Sequence, residues 1–274
     1  MSIITLTTDY GLKDHFVGAL KGKLLTEFRE ATIIDISHDI DAFNVAEAAY
    51  IIGASYSSFP KGTVHLIGVD IELNNENQHI AMQWNDHYFI CADNGILSML
   101  TQKIVPQKLV AITIHDRLPN DATDMDVFVK VSCLLAKGGL LNVIGKEIKS
   151  IKEVTELQAV VNENQIKGYV TYIDHFGNVV TNISKKMFLE TGKSRPYELK
   201  FKRQIIKTIL PKYSDIGISE KYPLKYYEGQ KLAIFNEAGF LEIAIFRSNP
   251  DTVGSATSLL GLSYRDVVTI EFRN

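Results

Sequence analysis

Cysteine is scarce in this 274-residue chain, and the two present, Cys91 in "FICAD" and Cys133 in "KVSCLLA", both sit in apolar settings. No Cys-x-x-Cys pair and no Cys/His metal spacing occurs, which argues against a disulfide framework or a zinc module. Buried free thiols fit a reducing compartment, so the cytoplasm is the expected location. No apolar run approaches the roughly 20 residues that a membrane-spanning helix needs. The N-terminus runs directly into a strand pattern, without the basic and apolar regions of a signal peptide. Cationic excess is missing too: 29 Lys and Arg against 32 Asp and Glu give a formal charge of −3. The densest basic run, "KFKRQIIK" at 200–207, reads as a solvated face, so neither nucleic acid nor a membrane is an expected partner. What is present is 46% hydrophobic and 22% charged residues, the composition of a globular protein with a sizeable core.

The first half of the chain alternates strand and helix patterns. "SIITLTT" (2–8), "ATIIDIS" (31–37), "GTVHLIGVD" (62–70) and "LVAITI" (109–114) read as strands, and "HIAMQW" with "HYFICAD" around "NDH" reads as a hairpin. Phe16, Leu20, Leu24 and Phe28 recur at helical spacing, Asn44 and Glu47 form a capping-box pattern, and "DVFVKVSCLLAKGG" reads as a helix ending in glycines. Short connections between alternating elements predict an α/β domain with a mostly parallel sheet over residues 1–150. After a polar, weakly periodic stretch the character turns to β, with a hairpin signal at "NEAG", and predicts a smaller β-rich domain over 165–274.

Carboxylates recur where the predicted strands end: Asp9, Asp35 with "SHD", Asp70 and Asp93. In open α/β sheets ligands bind beyond the carboxyl ends of the strands, so this edge is expected to be a polar, anionic site for hydroxyls, ammonium groups or a metal. Asp is also common in turns and at helix N-caps, and each residue alone fits that role as well.

The motifs "ITLTTDYGLKDHFVGALKG", "IIDISHDIDAFNVAEAAYII", "FPKGTVHLIGVD", "ADNGILS", "YIDHFGNVVTNI" and "FLEIAI" occur in the order found in the S-adenosyl-L-methionine (SAM) hydroxide adenosyltransferases, the family that includes the fluorinase and chlorinase, and the chain resembles that family over nearly its whole length. The resemblance implies an N-terminal α/β domain, a C-terminal β-barrel and a homotrimer with sites between subunits. It implies SAM as substrate, displaced at the ribose 5′ carbon by water or hydroxide to give adenosine and L-methionine, with no cofactor and no metal. Asp9 matches the residue that takes both ribose hydroxyls, and Asp14 the one that meets the methionine ammonium. Phe43 falls where relatives carry an aromatic against the sugar, and Asp174 and Asn178 of "DHFGN" match contacts at the adenosine and methionine ends. Without the family context, Phe43 and Phe176 would read as core.

Asp70 matches the catalytic aspartate of an Asp–Arg–His set. The arginine position falls on Asn77 or Gln78 and the histidine position on Thr123, with Glu72 where relatives carry a small residue. His79 and His115 lie near the right segments, though a packing role fits each of them as well. Relatives place a serine–arginine pair where this chain has Ala244 and Ile245; Arg247 follows two residues later. Two other readings follow: a catalytically impaired SAM- or adenosine-binding module, and, more weakly, a metal-dependent phosphohydrolase.

Overall fold

A computed structural model describes residues 2–101, 104, 106–154, 157–217 and 222–273. The chain divides into two compact units, Met1–Thr155 and Glu156–Asn274.

In the first unit the elements run β1 (Ile3–Thr8), α1 (Phe16–Glu27), β2 (Thr32–Ser37), α2 (Val45–Ser55), β3 (Val64–Gly68), β4 (His79–Trp84), β5 (His87–Ala92), α3 (Ile96–Thr101), β6 (Lys108–Ile112), α4 (Asp124–Ala136), α5 (Leu141–Ile144) and β7 (Gly145–Glu147). They build a seven-stranded sheet in the order β2-β1-β3-β5-β4-β6-β7. β1 is buried along its length, as a central strand must be. Its neighbours β2 and β3 are both parallel to it. Side chains alternate between the two faces. Ile4, Leu6 and Leu66 join Leu20 and Leu24 of α1 and Phe128 and Val131 of α4 on one side. Ile67, Val69, Ile80 and Phe89 meet Ile52 of α2 and Leu97 of α3 on the other. The strand period of two thus feeds two helical layers.

The sheet is mixed, which corrects the expectation of a mostly parallel one. Parallel pairing holds from β2 through β1 and β3 to β5. Beyond that, β4, β6 and β7 each pair antiparallel. The cause is local. Asn85 and Asp86 both have positive φ, 50° and 63°, the geometry of a two-residue hairpin turn. That turn folds β5 tightly back on β4, and β5 docks on β3, so β4 runs against the parallel strands, β6 beyond it runs with them and β7 against them again.

In the second unit β8 (Val160–Asn162), β9 (Gln165–Ile173), β10 (Val179–Ser184), α6 (Lys185–Gly192), β11 (Tyr197–Phe201), β12 (Gln204–Ile206), β13 (Lys231–Phe235), β14 (Phe240–Ile245), α7 (Ala256–Leu260) and β15 (Val267–Phe272) follow in order. The path β12-β11-β15-β9-β10-β14-β13 is antiparallel throughout, with β8 added on β9. Just past the end strand β12, Leu210 bridges Ile234 of the opposite end strand β13, so the sheet curls into a nearly closed barrel. Its interior is filled by Val170, Ile183, Leu199, Ile243 and Ile270.

Candidate functional site

β1 and β2 deliver their C-terminal ends side by side. Asp9 follows β1 directly, and its Oδ2 accepts the backbone N–H of Phe43 at 3.0 Å. Phe43 adopts φ 63°, uncommon for an aromatic residue, and the residue is 72% exposed. The core role is therefore ruled out for Phe43, and for Phe176, which is also exposed. The other oxygen of Asp9 has no partner among the described residues.

A chain of polar groups, buried at Thr8 and His38 and reaching the surface at Asp35 and Lys21, holds the end of β1. Thr8 Oγ1 lies 2.7 Å from His38 Nδ1, His38 Nε2 lies 3.1 Å from Asp35 Oδ1, and Lys21 Nζ donates to Asp35 Oδ2 at 2.6 Å. Partial burial pushes the Asp35 carboxyl up, but hydrogen bonds and charge from Lys21 and His38 outweigh it and hold the group below the usual range. The carbonyl of His38 also accepts the N–H of Gly11, which sits at φ 64°. His38 thus grips the chain on both sides of Asp9. Asp14 is exposed in the turn before α1.

Asp70 follows β3 and is half-buried, with φ 47°, a left-handed conformation that costs a non-glycine residue about 1 kcal/mol or more. Side chains tie down the backbone around it. Asn94 Nδ2 donates to the carbonyls of Val69 (3.0 Å) and Asp70 (3.2 Å), Asn77 Nδ2 donates to Asp70 O (3.2 Å), and Leu73 N donates to Asp124 Oδ2 (3.1 Å). Of the two candidates for the arginine position, Asn77 is buried and points inward, while Gln78 is exposed. Thr123 caps α4: its hydroxyl accepts from Asp126 N, while Asp126 Oδ2 accepts the Thr123 N–H. Both positions therefore do structural work.

Beside them opens a cavity of about 450 Å³ lined by Tyr10, Phe16, Lys23, Ile71, Thr123 and Asp124. Burial, and then the charges of Asp9 and Asp124, push the Tyr10 hydroxyl up to about 12, so it stays a neutral donor. Other strand-end carboxylates are already engaged. Asp93 accepts the N–H of Lys152 at 2.8 Å, and Asp35 serves Lys21 and His38.

In the second unit Asp174 and Asn178 meet. They bracket the turn joining β9 to β10. Asp174 Oδ1 accepts Asn178 N at 2.8 Å and Oδ2 accepts Asn178 Nδ2 at 2.9 Å. Gly177 in that turn has φ 69°, and a Cβ there would lie 2.4 Å from the Ser255 side chain, so only glycine fits. Ser255 and Thr257, whose hydroxyls are 2.6 Å apart, border the same turn; nothing in their local pattern announces them. Glu242 of β14 is buried under Tyr213, whose hydroxyl donates to it, and Asn236 Nδ2 donates to its other oxygen at 3.1 Å. Burial pushes the Glu242 carboxyl up, against the pull of those two donors. Ala244 and Ile245 are buried in β14, and Arg247 sits outside it at φ 49°, 3.6 Å from Glu228. Among the described residues no group of three or more His, Cys, Asp or Glu could hold a metal ion.

Each unit matches a family description. The SAM hydroxide adenosyltransferase N-terminal domain matches residues 4–145 and the corresponding C-terminal domain residues 168–269. A (R)-S-adenosyl-L-methionine hydrolase of Methanocaldococcus jannaschii is 29% identical, over 98% of this chain and 96% of its own length. A fluorinase of Actinopolyspora mzabensis is 23% identical, over 88% of this chain and 90% of its own. The crystal structure of an uncharacterized conserved protein from Thermotoga maritima superposes with a TM-score of 0.82 at 28% identity, covering 98% of this chain and 99% of that one. With both domains matched in order, and the first match alone spanning more than half of the residues, the chain belongs to the SAM hydroxide adenosyltransferase family.

Proposed function

We propose that the protein hydrolyses SAM to adenosine and L-methionine. The observation that carries this reading is the Asp9 carboxylate, held at the end of β1 by Phe43 N at 3.0 Å, with its second oxygen unengaged among the described residues, beside an exposed aromatic ring. A vicinal diol suits such a carboxylate, and an aromatic face attracts a sulfonium. Asp9 takes the ribose hydroxyls, Phe43 lies against the sugar and the reacting carbon, and Asp14 meets the methionine ammonium. Asp174 and Asn178 contact the adenosine and methionine ends from the C-terminal unit. The carboxylate-rich edge suits a substrate carrying both an ammonium and a sulfonium.

The reaction is an in-line displacement. Water attacks the ribose 5′ carbon, the C5′–S bond breaks, and the bonding pair leaves with sulfur as neutral methionine. The attacking water loses a proton to the Asp70 carboxylate. The leaving group is already cationic, so no acid is needed to expel it, and the protein supplies alignment, a dry pocket and the base. No step uses a metal or a cofactor; SAM is the substrate.

The protein acts as a homotrimer, in which the ligand's two halves are contacted from different subunits. Its two buried thiols support a cytoplasmic setting. Incubation of purified protein with SAM, followed by chromatography, should show adenosine and methionine in equal amounts, with formation lost in Asp70→Asn. SAM bound by calorimetry with no adenosine formed would favour the binding-module reading instead.

A further inference from the structure

His79 and His115 belong to no motif of the family resemblance and lie 36 residues apart in sequence, yet their rings meet. His79 is fully buried at the start of β4, with its ring edge-on to Phe128 of α4 at a centroid distance of 4.7 Å. Its Nε2 lies 2.8 Å from the carbonyl oxygen of Ile71, the residue after Asp70. A carbonyl only accepts, so Nε2 carries the proton. Burial is the largest influence on this imidazole and holds its pKa below the ordinary histidine range, which keeps it neutral and leaves Nδ1 a bare acceptor. His115 Nε2 stands 3.1 Å from that Nδ1 and must be the donor. One orientation of the two rings satisfies all of these contacts: His115 donates to His79, and His79 donates to Ile71 O.

The turn that receives this bond is the one that carries Asp70 in its left-handed conformation. Asn94 and Asn77 hold the carbonyls on its near side and Asp124 holds Leu73 N on its far side. The Asp124 carboxylate also lies 3.8 Å from His79 Nε2, close enough to favour the proton on that nitrogen. Remove the His115 donor and His79 Nδ1 is left buried and unpaired, with a ring flip or tautomer change as the only relief. Either response releases Ile71 O.

We infer that His79 and His115 form a positioning pair that fixes the Asp70 turn, doing through the backbone what a charged side chain at Asn77 or Thr123 would do by direct contact. The inference rests on the hydrolase reading for its catalytic consequence and on the contacts of the two rings for its structural one. Neither histidine touches substrate, so both are positioning residues. The pair accounts for a turn that contains no cation and yet holds a strained aspartate.

The test compares His115→Leu, His115→Gln and His79→Leu with the unaltered protein, reading kcat and KM for adenosine formation, adenosine affinity by calorimetry, and backbone amide hydrogen exchange across residues 71–78. A misplacement of about 1 Å costs on the order of 10²-fold in rate, so His115→Leu should lower kcat by about 10- to 100-fold with KM and adenosine affinity within about twofold. Exchange at 71–78 should quicken while the rest of the sheet is unaffected. His115→Gln, whose amide can donate to His79 Nδ1, should recover most of both. Unchanged kcat and exchange in His115→Leu, or losses that His115→Gln fails to recover, would overturn the pair. His79→Leu, which places a branched apolar group in the core, serves as the severe limit; a loss of adenosine binding in it, with His115→Leu silent, would also overturn the proposal. If the unaltered protein binds SAM and forms no adenosine, the hydrolase reading fails. The exchange comparison then decides the pair by itself, upheld by faster exchange in His115→Leu and overturned by none.

Discussion

Lowering the pH from about 7.5 to about 5 should destabilise the N-terminal unit by about 2 kcal/mol through His65 alone. His65 on β3 is 1% exposed, with Nδ1 2.7 Å from Thr5 Oγ1 and Nε2 3.2 Å from His87 Nδ1, and its ring stacks on Phe89 at 4.8 Å. Burial, and then the charge of His87, push its pKa down from 6.5 to about 3. A histidine depressed in this way must stay neutral to remain folded. Its stabilising share is complete above 6.5, the value of the free side chain, and is lost as the pH falls towards about 3. Each pH unit below the free value costs about 1.4 kcal/mol, so the descent to about pH 5 costs about 2 kcal/mol. Trp84, the only tryptophan in the chain, lies 5.3 Å from Tyr56 and 6.1 Å from Phe89 in the same aromatic cluster. Its fluorescence therefore reports unfolding of this unit. Urea titrations at the two pH values, on the unaltered protein and on His65→Gln, isolate the effect, because His79 and His87, also depressed chiefly by burial, titrate in both. The variant should lose about 2 kcal/mol less than the parent on acidification. Equal losses in the two proteins would show that His65 is not held neutral by the fold.

Asp9→Ala should weaken adenosine and SAM alike by about 10- to 100-fold in calorimetry, since a hydrogen bond to a charged group is worth about 1.5–3 kcal/mol and both ligands carry the diol. Asp14→Asn should weaken SAM and spare adenosine, which lacks the ammonium; equal loss for both would reject its assignment. Sedimentation equilibrium should give a trimer, and a monomer at micromolar concentration would refute the proposed assembly. Thr123→His should lower stability by about 1 kcal/mol, because it removes the cap of α4, and should not raise the rate; a faster enzyme would show that Thr123 faces the reacting water rather than the helix end.

The sequence pattern carried the local structure well and the long-range structure poorly. β1, β3 and α1 were legible because apolar side chains recur at the period of the element: Val17, Leu20 and Leu24 are the buried positions of α1, while Phe16 at its start is half-exposed. Asn44 caps α2 through Glu47 N as its spacing predicts, although the Glu47 carboxylate turns to Asp41 N and the Asn44 side chain rather than to the Asn44 backbone. The antiparallel β4–β5 hairpin was legible in its turn, but its place in the first sheet was not, because the docking of β5 rather than β4 on β3 is decided by packing across the sheet. At the site, position along the chain placed Asp9 and Asp70 at strand ends, but it could not separate them from Asp93, whose carboxylate is taken up by Lys152 N. Phe43 looked like core by composition and is exposed because its φ of 63° turns the ring outward. The His79–His115 contact had no local signal at all, since two elements distant in sequence create it.

The central claim is that water is the nucleophile at the ribose 5′ carbon, and isotope labelling tests it most directly. Turnover of SAM in water enriched in oxygen-18, followed by mass spectrometry of the products, should give adenosine carrying one labelled oxygen at the 5′ hydroxyl and unlabelled methionine. Adenosine without the label, or SAM recovered intact from a protein shown in the same sample to bind it, would contradict the account.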